Sequence, residues 1–422
     1  MLSIFELATL LLTLSAFFGW LNLRWLKLPH TIGLLLIGLG SSLILLLIHR
    51  IMPGFGVTDG LQEAIGQIDF YDTIMNGMLA FLLFAGALHV DFDKMKDQKW
   101  SIAFMATAGV VISTAVTGLG LWMASNLLGV EIPLQWAFVF GALISPTDPV
   151  AVLSLLKTVN VPESLKIRIA GESLFNDGVA VVAFSVLVAV AVAADTPDPY
   201  DLSLWHLLEL FLYEGGGGAV FGYLVGAFAV RAMMKVDDHV VEVLISLAVC
   251  ALTYALSLRL HISGPIAVVV AGLVIGNRGA RVAMSEKVKE YMFAFWEVID
   301  EVLNSVLFLL IGLEVLVLSF DLSQAWLMLA AIPVALAGRL VSVGSPILFR
   351  PVRKSFAPGV IPVMTWGGLR GGVSVALALS LPDSEYKAVL LAVTYAVVVF
   401  TIVVQGLTVK RVVERWIDPR RL

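Results

Sequence analysis

Thirteen apolar stretches, most of them close to 20 residues long, follow one another along the chain with short polar or proline-containing loops between them. About 20 apolar residues in a helix cross the hydrocarbon core of a bilayer. With 59% hydrophobic and only 14% charged residues, the chain has more apolar surface than a water-soluble domain can hide. We therefore predict an all-α polytopic membrane protein of about thirteen transmembrane helices, near 3–23, 29–49, 71–90, 101–128, 134–156, 167–194, 204–233, 239–258, 262–277, 297–320, 325–349, 357–381 and 386–408.

The basic residues support this number of segments. Of the 27 Lys and Arg residues, 22 follow odd-numbered segments or lie in the C-terminal tail. Only Arg50, Arg259 and Lys387 follow even-numbered segments, whereas Arg339 and Arg370 lie inside segments. Because positively charged loops stay in the cytoplasm, we predict an outside N-terminus and a cytoplasmic C-terminus.

Three pairs of similar stretches recur seven segments apart. The pairs are 29-PHTIGLLLIGLG-40 with 265-PIAVVVAGLVIG-276, 81-FLLFAGALHV-90 with 308-FLLIGLEV-315, and 141-GALISPTDPVAV-152 with 367-GGLRGGVSVAL-377. An odd displacement places the copies in opposite orientations, which is the inverted repeat of many secondary transporters. We predict a single integral membrane domain over 1–422: a first repeat over about 3–194, a linking helix over about 204–233, a second repeat over about 239–408 and a short basic cytoplasmic tail over 409–422.

The sixth segment carries four polar residues on one helical face: Glu172, Ser173, Asn176 and Asp177. An ionised acid facing lipid at the bilayer centre costs roughly 2.5–3.5 kcal/mol. The face is therefore expected to point toward protein or water.

The fifth segment contains Pro146 and Pro149 on either side of Thr147 and Asp148. Each proline removes a backbone donor and disfavours helix in the residue before it, so an unwound stretch is expected here. Freed carbonyls and the Thr147 hydroxyl are the oxygen donors that a hard cation prefers. The four glycines around Arg370 predict a matching break in the twelfth segment, with the two discontinuous helices crossing near mid-membrane.

Three other regions leave alternatives open. Residues 279–298 predict a cytoplasmic surface helix between the halves. Glu297, Asp300, Glu301 and Asn304 indicate either a wet funnel or a solvated helix end, and Glu314 near the far end of the tenth segment is expected to be interfacial. The run 215-GGGG-218 predicts close packing of the linking helix or a hinge, with packing preferred.

Taken in order, the motifs SPTDPVAV, GESLFNDG and GGLRGGVS resemble those of monovalent cation/proton antiporters of the NhaP and sodium/proton exchanger family, in their prokaryotic form. By this resemblance Asp177 is the carboxylate that binds the ion and exchanges the proton. Thr147 and Ser173 place oxygens near the cation, and Asn176 supports the site. Asp148 helps to hold the crossing, with direct ion contact left open.

The resemblance also implies an ion pair between Glu172 and Arg339. Arg370 is the second candidate partner for Glu172, and is otherwise expected to neutralise the helix ends at the crossing. A ligand role for Glu172, through Ser173, stays open.

The function implied is electroneutral 1:1 exchange of Na⁺, or of Li⁺ or K⁺, for H⁺ by alternating access. Because Asp177 cannot cheaply remain ionised and unpaired in a low-dielectric site, cation and proton are expected to compete for it. No cofactor and no nucleic-acid partner are expected, and the family implies a homodimer in the cell membrane. The alternatives are an intramembrane aspartyl hydrolase using Asp148 and Asp177, and a cation channel.

Overall fold

The computed structural model describes residues 4–51, 72–156, 159, 161–195, 204–316, 322–348 and 359–417. These residues form helices joined by turns, and their one β-type pairing is an isolated bridge between Asp148 and Leu369. Within these ranges, nine helices are long and apolar enough to cross a membrane, and shorter apolar helices accompany them. The prediction of a polytopic all-α membrane protein is confirmed.

The helices follow the thirteen predicted segments and are numbered accordingly, with a and b for the two halves of a broken helix. In chain order they are α1 Ile4–Leu21, α2 His30–Ile51, α3 Leu79–Leu88, α4 Lys99–Leu127, α5a Leu134–Leu143, α5b Val150–Leu156, α6 Glu163–Ala194, α7 Leu204–Met233, α8 His239–Arg259, α9 Gly264–Val274, α10 Glu286–Glu314, α11 Ala325–Gly344, α12a Val360–Trp366, α12b Gly372–Leu379 and α13 Lys387–Trp416.

Both predicted interruptions are present. Helix α5a ends at Leu143, ahead of Pro146, and α5b begins directly after Pro149. In the twelfth segment the backbone leaves the helix after Trp366 and re-enters it at Gly372. The two broken stretches meet at the bridge between Asp148 and Leu369, which gives the crossed discontinuous helices that the prolines and glycines predict.

Helix α10 differs from the sequence prediction. It is a single helix of 29 residues from Glu286 to Glu314, whereas the sequence predicts a surface helix ending near 298 and a separate span beginning near 297. No proline or glycine interrupts residues 286–311, so the backbone has no reason to end there. The acidic residues that suggest a boundary, Glu297 and Glu301, are exposed on the surface of the helix.

The glycines of α7 pack closely against α9. A Cβ atom on Gly218 would lie 2.6 Å from the Ser263 carbonyl oxygen, and one on Gly222 would lie 2.1 Å from the Ala267 carbonyl oxygen. The backbones therefore approach more closely than any side chain allows. Of the two alternatives for the glycine run, these contacts support close packing.

The last helix extends into the predicted tail. Helix α13 passes through a π-helical turn at Thr401–Gln405 and continues to Trp416. Val409 and Val413 are buried on its inner side, so the first part of the tail packs against the protein. The last five residues, 418–422, lie outside the described residues.

Candidate ion-binding site

A cavity of about 390 Å³ reaches the crossing of the broken helices. Helices α3, α6, α10 and α12b and the break in α5 contribute its walls. Glu297 and Glu301 on its wall are exposed, whereas Asp148 and Asp177 are only partly accessible. The cavity therefore leads from exposed acids of α10 to the two aspartates, which favours the funnel over the merely solvated helix end.

The polar face of α6 presents Asp177 to this cavity. Among the described residues the Asp177 carboxylate has no hydrogen-bond or ion-pair partner. Its neighbour Asn176 is buried and points to the break in α5. The Asn176 Nδ2 donates to the Thr147 Oγ1 at 2.9 Å, and its Oδ1 accepts from the Thr147 backbone N–H at 3.5 Å. The amide thus holds the unwound stretch against α6, while the acid remains available.

Thr147 and Ser173 lie beside Asp177 on the cavity wall. Their hydroxyl oxygens are 3.1 Å apart, and the Ser173 hydroxyl also donates to the Thr147 carbonyl oxygen. Hydroxyl, carbonyl and carboxylate oxygens are the ligands that hard cations take. Asp177, Thr147 and Ser173 are therefore the residues able to hold a monovalent cation as substrate.

Asp148 fixes the crossing through its backbone and its side chain. Its N–H donates to the Leu369 carbonyl oxygen at 2.8 Å, and its Oδ1 accepts from the Val150 N–H at 2.8 Å. The second bond satisfies a donor at the start of α5b. A Cβ atom on Gly371 would lie 2.7 Å from both Cβ and Oδ2 of Asp148, so glycine is required at this contact.

Arg370 binds the backbone just after the end of α5a. Its guanidinium donates to the carbonyl oxygens of Ser145 at 2.6 Å and Pro146 at 3.0 Å. These carbonyls follow the last turn of α5a, where the helix carries partial negative charge. The Arg370 backbone N–H donates to the Thr401 Oγ1 at 3.1 Å, so the π-helical turn of α13 supplies an acceptor at the break.

Glu172 is paired with Arg339 of α11. The guanidinium donates from both Nη atoms to the carboxylate, with a distance of 3.0 Å from Nη2 to Oε2. The two side chains are only 2% and 7% exposed. A Cβ atom on Gly368 would lie 2.5 Å from the Arg339 Nε, so the glycines of the twelfth segment also leave room for this arginine. The pair joins α6 to α11 beside the crossing.

Ser374, a polar residue of the cavity wall, was not singled out in the sequence analysis. Ser374 is fully buried and lines the cavity, and its hydroxyl has no hydrogen-bond partner in the part of the chain that the structure describes. It lies in the first turn of α12b, directly after the break. A hydroxyl in the first turn after a glycine break is the signal that points to it.

The model of the family "Sodium/hydrogen exchanger, transmembrane" matches residues 12–415. The Na⁺/H⁺ antiporter NhaP of Pseudomonas aeruginosa is 42% identical over 420 residues, covering 97% of this chain and 96% of the relative. The Na⁺/H⁺ antiporter NhaH of Halobacillus dabanensis is 34% identical over 395 residues, covering 93% of each.

Solved structures agree on the fold. The sodium proton antiporter MjNhaP1 of Methanocaldococcus jannaschii, determined at pH 8, superimposes with a TM-score of 0.71 at 19% identity, over 96% of this chain and 97% of that one. The family model, the relatives and the fold together confirm the resemblance carried by the three motifs. The protein is an integral membrane protein and belongs to the sodium/hydrogen exchanger family.

Proposed function

We propose that the protein exchanges a monovalent cation, Na⁺ first among them, for H⁺ across the cell membrane, with Asp177 as the carrier group. The observation that carries the proposal is the Asp177 carboxylate, which faces the cavity at the helix crossing without a protein partner among the described residues. The relatives from Pseudomonas aeruginosa and Halobacillus dabanensis are both named Na⁺/H⁺ antiporters, which supports the same substrates. Members of this family are transporters, so the intramembrane hydrolase is set aside.

Coupling follows from the charge of Asp177. An unpaired carboxylate in a low-dielectric site is unstable, so it holds either a proton or a cation when the site is closed. A proton on the carboxylate excludes a cation, and a cation excludes a proton. When the loaded site has carried one substrate across the membrane, it therefore returns with the other. Residue 176 is an amide rather than a second acid, and by the family resemblance one titrating carboxylate fewer at this position fits electroneutral 1:1 exchange.

The remaining polar groups have supporting roles. Thr147 and Ser173 offer oxygens to the cation, while Asn176 and Asp148 hold the unwound stretch in place. Glu172 and Arg339 lock α6 to α11, and Arg370 cancels helix-end charge. Acids on the cavity wall raise the local cation concentration.

Sidedness and assembly belong to the same proposal. The positive-inside pattern puts the Glu286 end of α10, and with it the cavity mouth, on the cytoplasmic side. The inverted repeat supplies the opposite access by moving the crossed helices relative to the other helices. We further propose a homodimer, as the family resemblance implies.

The test is exchange by purified protein in proteoliposomes that contain a pH-sensitive dye. With Asp177→Asn, addition of Na⁺, Li⁺ or K⁺ is expected to produce no proton movement. The matched control is Asp383→Asn, since this carboxylate is fully exposed and contacts only Lys387 among the residues described; it should exchange at the wild-type rate. Exchange by Asp177→Asn at the wild-type rate would discard the assigned carrier.

Competition also predicts the direction of the pH dependence. Below the pKa of Asp177, each unit of acidification should raise the half-saturating Na⁺ concentration about tenfold, because protons occupy the carboxylate. Above that pKa the half-saturating concentration should level off. A fall in maximum rate with constant half-saturation would contradict a shared site. A flux that follows the membrane potential and ignores the pH gradient would instead indicate a channel.

A further inference from the structure

One face of α10 continues past the cavity. Asp300, Asn304, Leu307, Ile311 and Glu314 are spaced by four, three, four and three residues, so they lie along one side of the helix. Asp300, Asn304 and Leu307 line the cavity. At about 1.5 Å per residue, Glu314 lies roughly 10 Å beyond Leu307, toward the opposite membrane surface.

Leu307 and Ile311 separate the two polar ends of this face. Both are buried, and Leu307 packs so closely on the first residue of α12b that a Cβ on Gly372 would lie 2.3 Å from a Leu307 methyl carbon. If a substrate route runs through the protein, the cavity is its open half. Glu314 then lies on the closed half, beyond Leu307 and Ile311.

The sequence suggests that Glu314 is interfacial, but in the structure it is enclosed. It is 4% exposed, and its Oε2 has no hydrogen-bond partner among the described residues. An ionised carboxylate in this position would be strongly unfavourable without a counter-charge. The protonated acid is the form that this enclosed position favours.

Tyr395 of α13 is the second polar group at this place. It is 2% exposed, and its hydroxyl also has no partner in the described part of the chain. Helix α13 packs against α12b, and α12b also contacts α10, the helix that carries Glu314. Because buried polar groups are nearly always hydrogen-bonded, two such groups on helices that both pack against α12b indicate a site that changes its occupant.

We infer that Glu314 and Tyr395 form a second substrate site, on the far side of the crossing from the cavity. This inference rests on the proposed function. Glu314 carries a proton while this side is closed. When the side opens, the proton leaves to water and a monovalent cation takes its place, bound by the carboxylate and the phenolic oxygen, so the site remains neutral throughout.

Accessibility is the first test, and it needs no transport. Cys250 is the only cysteine of the chain, so Cys250→Ala provides a cysteine-free background. In that background Glu314→Cys and Glu297→Cys are treated with a membrane-impermeant thiol reagent on either side of the membrane. We expect position 297 to react from the cavity side and position 314 from the opposite side only. Reaction of position 314 from the cavity side, or from neither side, would overturn the inference.

Sided transport is the second test. In vesicles of defined orientation, Glu314→Gln should raise the half-saturating Na⁺ concentration on the far side about fivefold or more, the effect of losing one charge-assisted contact. The cavity side should stay near the wild-type value. Tyr395→Phe should shift the far side in the same direction by a smaller factor, and Glu297→Gln should give the reciprocal pattern.

The outcomes separate the two proposals. Equal shifts on both sides together with a lowered melting temperature would show that Glu314 is only structural, and no shift on either side would also reject the site. If the wild type moves no protons with any cation, the proposed function fails. The labelling pattern of position 314 then still decides whether a second water-accessible route exists.

Discussion

The ion pair between Glu172 and Arg339 predicts a large loss of stability on removing one charge. Glu172→Gln keeps the size of the side chain and one acceptor oxygen, but leaves the Arg339 guanidinium without a counter-charge. Since both side chains are almost fully enclosed, the cost is that of breaking a buried pair, about 3–5 kcal/mol.

This cost converts into a measurable shift in melting temperature. An unfolding entropy of roughly 2.1 cal/mol/K per residue, taken over 422 residues, is about 0.9 kcal/mol/K. A loss of about 3–5 kcal/mol then lowers the melting temperature by about 3–6 °C. Thermal unfolding of the purified protein in detergent, followed by intrinsic fluorescence, would measure it.

Two further variants make the comparison sharp. Glu163→Gln lies on the same helix and removes an exposed pair with Lys94, whose side chains are 66% and 54% exposed. Such surface pairs contribute at most about 1 kcal/mol, so this control should melt within about 1 °C of wild type. Replacing Glu172 and Arg339 together by Met should recover most of the loss, because no buried charge then remains unpaired.

Transport measurements decide between a structural and a ligand role for Glu172. If the pair only holds α6 against α11, the half-saturating cation concentration of Glu172→Gln stays near the wild-type value in the molecules that remain folded. An unchanged melting temperature combined with a several-fold weaker apparent affinity for Na⁺ would refute the reasoning, and would make Glu172 part of the cation site.

The helix crossing gives two more expectations. Gly371→Ala should abolish exchange in the proteoliposome assay, because the added Cβ would lie 2.7 Å from Asp148. The control Gly216→Ala should keep exchange, because nothing lies within 4 Å of its added carbon. Loss of exchange in both variants would contradict the crossing as the cause. Arg370→Ala should lower the free energy of unfolding by on the order of 3 kcal/mol, since two carbonyl groups lose charge-assisted hydrogen bonds. Arg370→Lys should lower it by less. A melting temperature of Arg370→Ala equal to that of the wild type would show that the carbonyls find other partners.

Local chemistry made the broken helices predictable. Pro146 and Pro149 act on their own backbone and on the residue before them, so the interruption of α5 can be read without knowing what packs nearby. The same holds for the glycines around Arg370. Arg370 could be expected at a broken end, because it lies inside the second break, and it does bind the carbonyls after α5a. Thr401 of α13, which accepts from the Arg370 N–H, comes from a distant position and could not be predicted.

Helix α10 shows where sequence reasoning fails. Glu297, Asp300 and Glu301 mark the end of a span if the surroundings of a helix are assumed to be lipid. In the structure these three residues line one wall of a cavity, and the helix continues without a break. Whether a charged residue ends a span therefore depends on the neighbouring helices, which no local pattern contains.

Which arginine pairs with Glu172 also depends on neighbouring helices. The residues alone leave Arg339 and Arg370 both available to Glu172. In the structure Arg370 is committed to the carbonyls after α5a, and Gly368 leaves space for Arg339 to reach the acid. A resemblance to a family supplied this choice, whereas geometry explains it.

The packing of α7 on α9 has a mechanical consequence. Helices slide past one another when the side chains between them change rotamer, and at Gly218 and Gly222 no side chain lies between the two backbones. We therefore expect these two helices to move together. Helix α6 meets α9 differently, since Gly178 lies against the Ile266 side chain, which can adjust. We therefore expect a conformational change to displace α6 relative to α9 more readily than it displaces α7.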